Sequence, residues 1–87
     1  MKAKLKDGFE VEIIEENVGD WEFLEILSDI DDGESGLIVK AARMMLGKDG
    51  VKALKEHLRG EKGKVPVTAM VDALYELMES VGELKNS

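Results

Sequence analysis

The chain has one histidine, His57, flanked by Glu56 and Leu58, and an imidazole near a carboxylate is the pairing that general-base chemistry uses. Nothing completes that chemistry. A nucleophile would need a Ser or Thr held by a base, and Ser28, Ser35 and Thr68 sit where helix capping or helix-surface duty explains them. The adjacent acids Glu15-Glu16 and Asp31-Asp32 lie in acidic surface segments. Asp29, Asp31 and Gly33 resemble the start of a calcium loop, but such a loop needs Gly at its sixth position and an acid at its twelfth. Here those positions hold Glu34 and Lys40. Gly47, Gly50, Gly60 and Gly63 do not form a phosphate loop, since Gly47 to Lys52 lacks the closing Gly-Lys-Ser/Thr. With no Cys and a single His, thiolate chemistry, disulfides and His-rich metal sites are excluded together. The residues therefore point to no catalytic group, no cofactor and no metal, and His57 is expected to be a surface imidazole.

The elements that carry these residues read as two strands followed by helices. Asp7-Gly8 marks a tight turn. A three-residue loop, Lys6-Asp7-Gly8, opposes Leu5 with Phe9, Lys4 with Glu10, Ala3 with Val11 and Lys2 with Glu12. One face is then apolar and the other a ladder of opposite charges. Gly8 supplies the left-handed residue that closes such a loop. After an acidic linker at Glu15-Glu16-Asn17, Asp20 or Asn17 is placed to cap a helix whose Trp21, Leu24, Leu27 and Ile30 lie along one side, widened by Phe23 and Ile26. Trp21 is expected to pack on the hairpin. Ser35 is placed to cap a second helix, Leu37 to Leu46, that is apolar almost all round, so it is either central or partly covered by another chain.

Gly47 ends that helix, Asp49 is placed to cap a third that buries Val51, Leu54 and Leu58, and Glu61 to Lys64 forms a charged loop. Pro66 fits the start of a last helix. Its Val67, Met70, Val71, Leu74, Leu77, Met78 and Val81 recur at helical spacing, and Gly82 is placed to end it. A lone hairpin is marginal in water and must lay its apolar face on the helices. The expectation is one α+β domain over residues 1–87: a hairpin at 1–14 packed on a bundle of about four helices, near 18–31, 36–46, 49–59 and 66–82, and a tail at 83–87.

Charge is unevenly spread. The chain carries a net −7, but residues 1–36 carry −9, residues 37–64 carry +5 and residues 65–87 carry −3. Most of this is expected to be solvated or internally paired surface, with opposite poles that let copies meet head to tail as the other reading. A net acidic chain is a poor duplex binder. No apolar run approaches the roughly 18 to 20 residues that span a bilayer, and the first residues lack the pattern of a signal peptide, so a cytoplasmic location is expected.

Methionine is the more suggestive residue. Met44 and Met45 are adjacent on one helix and point about 100° apart, so both cannot easily face one small core. Flexible Met side chains suit a surface that holds another protein. The expected contact residues are Met44, Met45, Met78 and Leu84.

Five segments carry a family resemblance: Lys4 to Val11, Asp20 to Glu25, Ala42 to Gly47, Ala53 to Leu58 and Gly82 to Ser87. With these the chain resembles the small tail assembly chaperones of long-tailed, siphovirus-type phages and prophages of Gram-positive bacteria. The resemblance covers nearly the whole chain and rests on packing and capping patterns, with no catalytic motif to transfer. It implies a protein of the infected bacterial cell, absent from or minor in the mature virion, whose partners are tape measure protein and tail tube protein, with self-association beside them. It also implies a second, longer form made by ribosomal frameshifting. A different class, an acidic adaptor or inhibitor of antitoxin-like or nucleic-acid-mimicking type, would instead use the −9 first portion to occupy a basic partner.

Overall fold

The computed structural model describes the backbone of residues 1–86 and the side chains of residues 1–81. Strands β1 (Lys2–Lys4) and β2 (Glu10–Glu12) pair antiparallel in the expected register, Lys2 opposite Glu12, Ala3 opposite Val11 and Lys4 opposite Glu10. The loop closes with the Gly8 N–H donating to the Leu5 carbonyl at 2.9 Å, and Gly8 takes φ +96°. Ala3, Leu5, Val11 and Ile13 face inward and are buried, while Lys4 and Glu10 pair at 3.6 Å on the wet face. Alternation of side chains along each strand produces both faces at once.

The helices are α1 (Glu15–Val18), α2 (Trp21–Asp31), α3 (Ile38–Leu58) and α4 (Val67–Asn86), with a 3-10 turn at Ser35–Leu37 before α3. The domain is thus α+β, a hairpin on a helical bundle. Glu15, Glu16 and Asn17, expected as linker, form the short α1 together with Val18. Asp20 occupies the N-cap of α2 but its carboxylate makes no cap hydrogen bond. Ser35 lies inside the 3-10 turn and does not cap α3. The α4 backbone continues past Gly82, the expected stop, to Asn86. The remaining tail residue lies outside the described residues.

The two expected middle helices are the two legs of α3, and they part at a sharp corner at Gly47. Gly47 sits at φ +73°, ψ 170°, outside helical geometry, and divides α3 into two legs. Only glycine adopts that conformation without strain. Asp49, expected as a cap, lies within the second leg. A helix end leaves carbonyls without intrahelical partners, and here the neighbouring segment supplies donors. The Ile14 N–H bonds the Met45 carbonyl at 2.9 Å and the Asn17 side-chain amide bonds the Met44 carbonyl at 2.8 Å.

One core joins the parts: Leu5, Ile13 and Val11 from the hairpin, Phe23 and Ile26 from α2, Ala41, Met45 and Leu54 from α3, and Leu74, Leu77 and Val81 from α4. Trp21 departs from expectation, being 70% exposed and off the hairpin. At 100° per residue, Phe23, Ile26, Leu27 and Ile30 fall on one stripe, and Trp21 and Leu24 fall well round the helix from it. The larger apolar set takes the core and the smaller one faces water.

Candidate functional site

The chemistry-bearing side chain His57 is placed by the second leg of α3 against the hairpin turn. Its Nε2 lies 2.7 Å from Asp7 Oδ2, and its ring stacks on Phe9 with centroids 4.1 Å apart and planes within 8°. The other Asp7 oxygen accepts the Phe9 N–H at 3.0 Å. That backbone bond, and after it the His57 ring, hold the Asp7 carboxyl below its ordinary value of 3.8. The arrangement ties the hairpin tip to α3. Among the described residues no hydroxyl hydrogen-bonds to the pair, and no three carboxylate, imidazole or thiol side chains gather as a metal ion would require.

Two residues further on, Arg59 clasps Glu56 through two hydrogen bonds, at 2.8 and 3.1 Å, and donates to the Gly63 carbonyl at 2.8 Å. The guanidinium lowers the Glu56 carboxyl from its usual range, and the Arg59 value rises in return. These contacts hold the loop between α3 and α4 and so fix how the two helices approach.

Of the expected contact residues, Met45 is 0% exposed and cannot offer its side chain to another protein while the fold stands. Its position on α3, one step round from Met44, points it into the core. Met44 is half-buried at the corner that α1 covers. Met78 is half-buried beside a small hollow of about 150 Å³ shared with Leu27, Ile30 and Tyr75. The Leu84 side chain lies outside the described residues.

A different opening lies between α3 and α4. It is an apolar groove of about 270 Å³. Ile38, Ala42 and Val51 line it from both legs of α3, and Met70, Val71 and Leu74 line it from α4. Val39 and Val67 stand at its edge, 52% and 75% exposed. Arg43 and Lys55 complete the lining, and neither makes an ion pair among the described residues. The groove therefore presents greasy walls with two cationic side chains. Its residues went unnamed as contacts in the sequence, although the all-round apolar character of residues 37–46 was the signal for them.

A second apolar surface is carried by α2. Trp21 and Leu24 are 70% and 55% exposed and share a shallow depression with Glu25, Ser28 and Asp29. Glu22 is exposed beside them. No helix among the described residues is long and apolar enough to cross a membrane. Comparison with protein-family models, with curated proteins and with solved structures found no match to this chain.

Proposed function

We propose that the chain is a phage tail assembly chaperone that binds tape measure protein, tail tube protein or both during tail morphogenesis. It acts by binding, without catalysis, in the cytoplasm of the bacterial host, and is not a major part of the mature virion. The family resemblance of the five segments names the role. The observation that carries it physically is the groove between α3 and α4, whose apolar floor and flanking Arg43 and Lys55 suit an amphipathic helix bordered by acids. Long helical clients display such stripes, and an apolar groove that covers them keeps them from aggregating.

The test is co-expression with a candidate tape measure protein from the genome that encodes this chain. Tape measure protein is expected in the soluble fraction and in complex with the wild-type chain, and in the pellet with R43E/V67D, whose changes lie on exposed groove residues. Equal tape measure solubility with and without the chain would overturn the role. Complexes that persist in 0.5 M salt fit apolar holding, whereas an acidic inhibitor of a basic partner would be released as charges are screened.

A further inference from the structure

The molecule carries two unpartnered apolar surfaces of opposite charge, with no residue in common. The groove between α3 and α4 is open, apolar and flanked by Arg43 and Lys55. The outer face of α2 exposes apolar side chains at Trp21 and Leu24 and is flanked by Glu22, Glu25 and Asp29. Exposing a tryptophan and four large aliphatic or aromatic side chains is costly for a chain of this size, and interfaces are where buried Trp residues give the most affinity. We propose that the groove of one copy receives the α2 face of a second copy, with Trp21 and Leu24 entering the apolar floor and Glu22 and Glu25 meeting Arg43 and Lys55.

The two surfaces differ, so the contact is head to tail, and repeating it builds rings or filaments where a self-complementary contact would stop at a dimer. Charge complementarity sets the direction. A groove on one copy facing a groove on another would oppose Arg43 and Lys55 to like charges, and two α2 faces would oppose carboxylates. The opposed net charges of residues 1–36 and 37–64 act in the same sense at longer range. Self-assembly does not depend on the chaperone role. If that role holds, a client and a neighbouring copy compete for one groove.

Sedimentation over a concentration series, with two complementary variants, decides the matter. W21E/L24E removes the inserted face and keeps the groove; R43E/V67D spoils the groove and keeps the face. All four positions are exposed, so circular dichroism is expected to show both variants folded. Wild type is expected to grow in mass with concentration, and each variant alone to stay at 9.6 kDa. Mixed in equal amounts they are expected to form a species of twice that mass and to go no further. In that mixture the one tryptophan belongs to R43E/V67D, and its emission is expected to shift to the blue on mixing.

A wild-type chain that stays monomeric at millimolar concentration would overturn the proposal. So would a mixture with no new species, or variants that associate alone as strongly as wild type. Should either variant fail to fold, charge exchange gives the same test: E22K/E25K and R43E/K55E each weaken assembly, and the four changes in one chain restore it. Failure of the restored chain to assemble would overturn the proposal as well. Tape measure solubilisation is scored separately, so loss of self-assembly with solubilisation intact leaves the chaperone role standing.

Discussion

The Asn17 side-chain amide donates to the Met44 carbonyl at 2.8 Å, and by this bond α1 closes the end of the first leg of α3. The carbonyl is part-buried and has lost its helical partner at the Gly47 corner. Asn17→Ala is expected to cost about 1 kcal/mol, and Asn17→Asp more, because a carboxylate has no proton for the carbonyl. Urea unfolding midpoints of the three proteins check the order.

Gly47→Ala forces a side chain into φ +73° and sets its Cβ 3.2 Å from Ile14 Cδ1. The strain and crowding together are expected to cost about 1–3 kcal/mol. Ile14→Val in the same chain relieves only the crowding, so it recovers part of the loss. Thermal unfolding of the single and double variants measures the division.

Met45→Ala leaves a cavity at a fully buried core position and is expected to cost about 2–5 kcal/mol. Met45→Asp would bury an unpaired charge and prevent folding. Loss of binding in Met45→Asp would therefore reflect lost structure, and partner contacts are better read from Arg43 and Val67. Circular dichroism of the purified variants tests this directly.

Trp21→Ser is expected to change stability by no more than about 0.5 kcal/mol, since the indole is 70% exposed. Phe23→Ala, two residues on and 5% exposed, is expected to cost about 3–5 kcal/mol. The contrast in denaturant midpoints reports which stripe of α2 faces inward.

Asp7 titrates below its ordinary 3.8 in the folded chain, first through the Phe9 N–H and then through His57. A carboxyl lowered on folding stabilises fully above its unfolded value, and that stabilisation is lost as pH falls through the lowered folded value. Wild type is expected to lose more melting temperature than Asp7→Asn between pH 5 and pH 2. Equal losses in the two proteins would remove Asp7 from the acid sensitivity of the fold.

The hairpin was legible because each rung pairs like with like in only one register, from Leu5 and Phe9 to Lys2 and Glu12. The core stripe of α4 was legible because Leu74, Leu77 and Val81 recur at helical spacing with few competitors. In α2 two apolar stripes compete, and a pattern alone does not say which one α3 will cover, so Trp21 came out on the wet side. Met44 and Met45 posed the same choice, and the structure places Met45 on the buried stripe of Ala41 and Ala42. The groove was hidden for a further reason. Its walls come from residues 38–43, 51–55 and 65–74, which approach only through the corner at Gly47 and the Arg59-held loop.

Because one wall of that cleft spans both legs of α3, its width is governed by a single backbone bend whose fastenings, Ile14 and Asn17, sit outside the lining. Whatever loosens those fastenings respaces Ala42 against Val51 and alters how snugly an occupant fits. Under the proposed holding role, changes in α1 would then tune the grip on a bound polypeptide, and selection for affinity could act on residues that never touch it.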